Sequence, residues 1–563
     1  MKTRFALGGI ALALTLAAFC STASAQAPGD TSSFLQRSIT LGGEIGTYGE
    51  LYSIRGQDRR RPPATGRLFL RPTLTFFNSL SLNFDILLST EGTAARQNIN
   101  QLGLHPTWAW GNAHAGDFTE TYSDYTLNGI LIRGGAFNIN PGVFRLSALG
   151  GFTKRAVAGG ATTGAFDRYL YGGKLGIGSE AGGYVDLVFL RVRDEISSLP
   201  PSNQQVVIDS TNPAATPPRR FELTPQENLV AGILTNLKFF DAAVQWKTDA
   251  TVSLFTRDMR VTADTTLKIP SPIDKLYRAN VTSNVDIAIK SEITVDVGNV
   301  SVRGGYKYIG AGYNSLGTPY LLNDQQEFLI APTFRIADWS LALSYTRQND
   351  NLLHQKIFTT VRNLYGANIT FRPTALWTSN ILANYLDMDN SSPNDTTRVA
   401  FSNLTLGTNQ IFVFAPGSVV QAVTLTYIFQ RSGDDAPLRA GFKTTGHSAT
   451  LGAVIPLGTA LTLSPTAGLV HFSIGALGGQ TTQTYGVTLQ HRAEENTLIS
   501  TLSSTASFVS SSSSFRNTLG STYQLTNSAA LGLTVGMTNF SGGAFSSVRF
   551  TEYTAAVTFT QRL

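Results

Sequence analysis

Between Asn284 and Val297 the chain reads NVDIAIKSEITVDV, and Val285, Ile287, Ile289, Ile293, Val295 and Val297 alternate with Asp286, Lys290, Glu292, Thr294 and Asp296. Successive residues of a β-strand point to opposite faces, so this segment needs an apolar medium on one side and water on the other. Leu80, Leu82, Phe84, Ile86 and Leu88 form a second such face, opposed by Ser81, Asn83, Asp85 and Ser89. Phe328, Ile330, Pro332, Phe334 and Ile336 form a third, continued past Ala337-Asp338 by Trp339, Leu341, Leu343 and Tyr345. Strands of soluble sandwiches are about 5–6 residues long. The alternating runs here are longer, and aromatics fall near their ends, as in a wall whose apolar band is flanked by aromatic girdles.

The pattern recurs to the last residue without a linker and predicts an all-β chain: one large transmembrane antiparallel β-barrel of about 24 strands, with a range of roughly 22–26. The first strand is expected near Ser38–Ser53 and the last at Ser547–Leu563. Connections alternate between short and long, which places short turns in the periplasm and long loops outside. The short set comprises Asn78-Ser79, Gly178–Gly182, Gly298-Asn299, Ala337-Asp338, Pro373-Thr374 and Thr526-Asn527. The long set comprises Ile54–Thr65, Thr90–Asp124, Lys154–Asp167, Glu195–Gln226, Arg257–Ser283 and Arg431–Thr445. Pro200, Pro201, Pro213, Pro217 and Pro218 make Glu195–Gln226 irregular, since proline cannot donate to a ladder. Two zones are open in register: Trp108–Tyr125 either adds a strand or folds into the lumen, and Asn403–Ser418 has no clear phase.

The chain opens with Lys2 and Arg4, an apolar stretch from Ala6 to Cys20, and Ala23-Ser24-Ala25. This is the form of a secretory signal, so residues 1–25 are expected to be cleaved, 26–37 to form a short periplasmic segment, and 38–563 to form the barrel. Cleavage removes Cys20, the single cysteine, and with it disulfides and thiolate metal sites. No run after the signal is long and apolar enough for a helical span. Charged residues make up 14% and glycines number 53, with a mean hydropathy of +0.01, a balance suited to a wall that turns its apolar side chains outward. The net charge of +6 loses two with Lys2 and Arg4, and the basic residues are scattered, which argues against nucleic acid.

The chain ends SVRFTEYTAAVTFTQRL, where Tyr553, Ala555, Val557, Phe559 and Leu563 share a face. This ending resembles the C-terminal signal of Gram-negative outer-membrane β-barrel proteins, although Leu563 stands where an aromatic is usual. The resemblance implies export to the cell outer membrane, insertion by the β-barrel assembly machinery through the last strand, and contact with outer-membrane lipid and lipopolysaccharide.

Candidate chemistry is sparse, and no catalytic residue, metal site or cofactor is expected. Asp387, Asp389 and Ser391 start like a calcium loop, but Ser392 holds the glycine position and Arg398 the glutamate position. His447-Ser448 lies where a barrel hydrolase could keep a dyad, yet neighbours in a strand face opposite ways. A TonB-type transporter needs a plug on the order of a hundred residues before its barrel, far more than precedes Ser38. A barrel this wide nevertheless leaks unless something narrows it, and the aromatic-rich Thr90–Asp124 supplies constriction candidates Trp108, Trp110, Asp117 and Tyr122, beside Phe118 and Tyr125.

Strand parity points Arg67, Arg71, Arg145, Arg168, Lys174, Lys290, Glu292, Arg303, Lys307, Arg335 and Arg372 into the lumen, with Asp85, Asp286, Asp296 and Glu327. The basic excess predicts mild anion preference, unless these charges pair across strands. The function expected is porin-like, passive or partner-gated passage of solutes. The alternative is a non-enzymatic surface scaffold or adhesin, or the barrel of a secretion assembly with a loop-filled lumen.

Overall fold

The computed structural model describes residues 38–90, 100–158, 164–200, 223–262, 271, 273–543 and 548–563; the signal segment and the residues up to Arg37 lie outside this set. It contains a single 26-stranded sheet, from β1 (Ile39–Arg55) to β26 (Arg549–Arg562). Each strand pairs antiparallel with its sequence neighbours, and β1 pairs with β26 from Glu44↔Arg562 to Arg55↔Thr551, which closes the sheet. Lengths run from 8 residues in β4 (Gln101–Trp108) to 17 in β1. Among the described residues no helix is long and apolar enough to cross a membrane; the one α-helix, α1, covers Ile273–Leu276.

Strand alternation makes the outer face apolar over most of the ring. On β12 (Ser283–Val297) the exposed members are Val285, Ile287, Ile293 and Val297, whereas Ala288 on the opposite parity is fully buried. The turn Gly298-Asn299 then sets β13 (Val300–Ile309) so that Val297 faces Val300, Thr294 faces Arg303 and Glu292 faces Gly305, the register that a two-residue hairpin dictates. Aromatics gather at the turn rim. On β15 (Trp339–Asp350) and β16 (Thr360–Thr374), Trp339 stacks on Phe371 at 4.4 Å. On β17 (Trp377–Asn390) and β18 (Ala400–Val413), Trp377 stacks on Phe412 at 5.8 Å. Higher on the same wall, Tyr345 meets Tyr365 at 4.9 Å and Tyr365 meets Tyr385 at 6.1 Å.

Both open zones resolve. Trp108–Tyr125 does both things considered for it: β4 and β5 (Gly111–Thr119) form a hairpin through Ala109-Trp110, and the chain beyond Thr119 dives inward. Asn403–Ser418 belongs to β18 and the turn after it. The expected turn at Pro373-Thr374 moves to Ala375-Leu376, because β16 carries an irregularity between Phe371 and Thr374 and runs on past it.

Face assignment gives a direct test. Ile293→Arg puts a charge on the apolar face at a cost of about 2–4 kcal/mol near a bilayer midplane, while Thr294→Arg reaches the wet interior. The expected result is loss of heat-modifiable mobility for the first variant and its retention for the second.

Candidate functional site

Two connections fold back into the barrel and meet. The first is residues 120–130, between β5 and β6 (Leu131–Ile139); the second is residues 310–324, between β13 and β14 (Gln325–Ile336). The first is shaped locally by Ser123, whose hydroxyl accepts from the amides of Tyr125 at 3.2 Å and Thr126 at 3.1 Å, a turn of the kind serine favours. The second begins GAGYNSLG, and its Gly317 donates no side chain for a reason. A Cβ there would stand 2.2 Å from the Thr126 carbonyl oxygen, so only glycine lets the two segments touch.

Their contacts are specific. Tyr313 donates its hydroxyl to the Tyr125 carbonyl at 2.9 Å and shares a hydrogen bond of 2.9 Å with Thr251 on β11 (Val244–Thr256). Ser315 donates to the Thr126 carbonyl at 2.9 Å, and the Asn128 amide donates to Gly317 at 3.0 Å. Asn228, on β10 (Glu227–Phe239), clamps the second segment from the wall: it accepts from Leu316 N at 3.0 Å and donates to the Asn314 carbonyl at 3.1 Å. Tyr122 bonds Ser147 on β7 (Phe144–Lys154) at 2.8 Å. Burial pushes the hydroxyls of Tyr122, Tyr125 and Tyr313 well above the usual tyrosine range, so all three stay neutral.

The wall under the first segment has lost its alternation. Leu170 on β8 (Asp167–Ser179), Val188, Leu190 and Val192 on β9 (Gly183–Glu195), and Val230 and Leu234 on β10 point inward and pack with Tyr122, Leu127 and Phe118. Outward neighbours such as Tyr169, Leu187 and Ile233 are apolar too and exposed. A strand apolar on both faces is a strand buried on both. The run YVDLVFLRV of β9 was therefore the available signal that something fills the barrel beside it. Tyr313, Thr251, Asn228 and Ser315 had no such signal, since an isolated polar residue in a strand or a Gly-rich loop reads as ordinary lumen or turn.

Of the constriction candidates, Tyr122 lies in the constriction. Trp108 and Trp110 do not: Trp108 ends β4 and Trp110 lies in the turn after it, edge to face at 5.3 Å, and Trp108 shares the outward parity of Leu102. Asp117 is also outside the constriction, because Phe118 beside it points inward. Its carboxylate takes a bidentate pair from Arg133 at 2.6 and 2.7 Å and the Leu102 amide at 2.8 Å, which holds the upper end of β4.

Arg71 pairs with Glu44 and Asp85 at 3.3 and 3.0 Å. Arg145 pairs with Asp186 at 2.8 Å and with Glu180, and Lys174 reaches Asp186 at 3.9 Å. Arg168 pairs with Asp194 at 2.6 Å. Lys290 sits 3.5 Å from Asp124 and 3.8 Å from Glu292, and Lys307 pairs with Glu327 at 2.7 Å. Arg67 lies over the Tyr48 ring at 5.9 Å. Arg335 and Arg372 lie near the turn rim, where Arg372 donates to the Ala375 carbonyl at 3.1 Å. Arg303 makes no ion pair among the described residues. Most of the apparent basic excess is thus compensated by acids from neighbouring strands and from the inward segment. His447 points outward to the Tyr427 hydroxyl at 2.8 Å, away from Ser448, and Arg398 bridges to Asp389 at 2.9 Å.

Beyond this constriction the inner wall changes character. On β20 to β25 (from Thr444–Leu457 to Ala529–Gly542) the inward positions include Ser448, Thr450, Thr466, Thr484, Thr488, Ser503, Thr505, Ser507, Thr518 and Thr534, and none of them is buried. A closed ladder, an apolar exterior with aromatic ends and a polar interior decide the class. The architecture is that of the outer-membrane β-barrels.

Among solved structures, the siderophore receptor PirA from Pseudomonas aeruginosa is similar at 10% identity over 96% of this chain and 81% of that one, with a TM-score of 0.41. The FrpB iron transporter from Neisseria meningitidis is similar at 12% identity over 92% of this chain and 81% of that one, with a TM-score of 0.41. OccAB2 from Acinetobacter baumannii is similar at 13% identity over 60% of this chain and 93% of that one, with a TM-score of 0.29. No family model matches the chain, and no curated protein matches it. Likeness at this level says nothing of what crosses the barrel.

The latch predicts two outcomes. Asn228→Ala leaves the Leu316 amide without its partner, at about 1–3 kcal/mol, and leaves the Asn314 carbonyl with the Ser253 hydroxyl alone. Chymotrypsin should then cut between Tyr313 and Leu322 at least about tenfold faster while heat-modifiable mobility is kept. The second outcome concerns pH. Asp324, at the end of the second segment, accepts from Leu352 N at 2.8 Å, Asn351 N at 3.2 Å and the Lys356 ammonium. Burial works to raise its carboxyl, but these donors outweigh it and hold the group below the ordinary aspartate value. The hydrogen bond to Asp324 holds Lys356 above its own ordinary value. A depressed acid stabilises above its unfolded pKa and ceases to as pH falls through the folded one; a raised base stabilises below its unfolded pKa and ceases to as pH rises through the folded one. The anchor should therefore hold from about pH 4 to about pH 10. A spin label at Gln355 should be equally immobile at pH 5 and 9, loosen in acid below the aspartate range and in base above the lysine range, and be mobile at pH 7 in Asp324→Asn.

Proposed function

We propose that this protein is a channel of the cell outer membrane for passive passage of small solutes, narrowed by its own inward segments, with the long loops at the cell surface and the short turns in the periplasm. The observation that carries the proposal is the asymmetry of the inner wall. Under residues 120–130 the wall packs buried apolar side chains, as a filled interior requires, whereas the inner faces of β20 to β25 are chiefly Ser, Thr and Gly positions, with Arg516 among them, left accessible. A barrel filled throughout would bury both. The accessible arc carries hydroxyls, which replace water for a passing solute without holding it by charge.

Charge pairing sets the expected selectivity. Paired side chains cancel at distances beyond the screening length of about 8 Å in physiological salt, so a wide path senses little of them. Among the described residues Arg303 has no acid within ion-pair distance and Glu292 has Lys290 alone, at 3.8 Å, so these two residues should tune the residual preference.

Single-channel recording in planar bilayers tests the proposal. Stepwise conductance with weak anion preference is expected; Arg303→Gln should lower that preference, and Glu292→Gln should raise it. Replacing both Tyr125 and Tyr313 by Gly should raise conductance. A protein that inserts as a barrel but carries no current in any variant would favour the surface scaffold instead.

A further inference from the structure

Beside Tyr125, between the inward segments and the inner faces of β12, β13 and β14, lies a cavity of about 330 Å³. We infer that this cavity is a binding site for a small zwitterionic solute, one that carries an ammonium, a carboxylate and an apolar side group and is the size of a free amino acid. The inference rests on the channel proposed above and names the kind of solute that would pause there.

The ladder places Lys290 directly opposite Lys307, and Lys307 opposite Glu327. Like charges directly opposite on a sheet repel, so each lysine is compensated separately. Lys307 has Glu327 at 2.7 Å; Lys290 stands opposite Asp249 in the ladder, and its ion pairs among the described residues are Asp124 at 3.5 Å and Glu292 at 3.8 Å, at or past the limit of a hydrogen bond. Oxygens of Asp124 and Glu292 are therefore open to a better donor, and Lys290 to a better acceptor. The side chains keep enough exposure for such exchange, 27% for Glu292 and 36% for Lys290.

A second observation is independent of charge: Tyr125, itself only 2% exposed, lines the cavity. Ile309, Leu321 and Leu329 give the same cavity an apolar side. A simple anion would face Asp124, Glu292 and Glu327, and a simple cation would face two lysines. A zwitterion can turn each end to its opposite and lay its side group on the leucines. The volume falls at the lower end of the roughly 300–1,000 Å³ typical of ligand pockets.

Titration calorimetry on the full-length barrel in detergent tests this with leucine, leucine methyl ester and N-acetyl-leucine, which present both charges, the cation alone and the anion alone. Saturable binding of leucine is expected, with both derivatives at least about tenfold weaker. Glu292→Gln should weaken leucine by about tenfold, and Lys443→Gln, in a surface loop, should not change it. Either derivative matching leucine, or no saturable leucine binding, overturns the site. Bilayer recording on the same preparation separates the two proposals: conductance without leucine binding removes the site alone, and leucine binding without conductance removes the channel alone.

Discussion

The structure depends first on the hydrogen bonds between β1 and β26. In hydrocarbon a main-chain amide or carbonyl has no water to turn to, so an open sheet edge costs several kcal/mol per group and a spanning sheet must close. The pairing from Glu44↔Arg562 to Arg55↔Thr551 makes the last strand as indispensable as any central one, although it is the last to be synthesised. Closure also fixes parity. Once the ends are joined, a one-residue slip anywhere would turn an apolar face to the lumen and a charged face to lipid, and the alternation along each strand is the record of that constraint.

Closure at this size creates the second constraint. A ring of 26 strands encloses more space than its own side chains can fill. Among the described residues two short connections enter this space, and they are held by contacts of different kinds. Residues 120–130 are held chiefly by apolar burial against β7 to β10, while residues 310–324 are held chiefly by polar atoms of Thr251, Ser253 and Asn228. Apolar burial is non-directional and tolerant, whereas a buried polar clamp fails sharply when one partner is lost. The second segment is therefore the one that a small change can release without endangering the wall.

This division explains how much was legible in the sequence. Strand existence, face and hairpin register follow from local alternation, so the pairing of Thr294 with Arg303 could be written down from the turn alone. The 26 strands lie at the upper end of the expected range, and the short β4–β5 hairpin, whose alternation is interrupted by Gly103 and Gly116, is the least legible pair among them. Aromatic and acidic side chains at Trp108, Trp110 and Asp117 suit a constriction, yet parity beside Phe118 and Leu102 sends them to the other face. Tyr313 and Asn228 were not legible. Their roles depend on which strands stand side by side after the ring closes, and no local pattern encodes a contact between positions so far apart in the chain.

The lumen charges teach the same lesson about what composition can and cannot say. A count by parity along strands gives more cations than anions, but the acids that neutralise them come from elsewhere: Glu180 from a turn, Asp124 from an inward segment, Asp186 and Asp194 from β9. Deep pairs such as Arg145–Asp186, with 8% and 1% of their side chains exposed, are locked, because separating them would leave a buried charge alone. Half-exposed pairs such as Lys290–Glu292 are not, since exposed ion pairs contribute only about 0–1 kcal/mol. Burial, and not charge, thus decides which side chains only hold the wall and which remain free to answer a solute, and the second group lies where the two inward segments meet the wall.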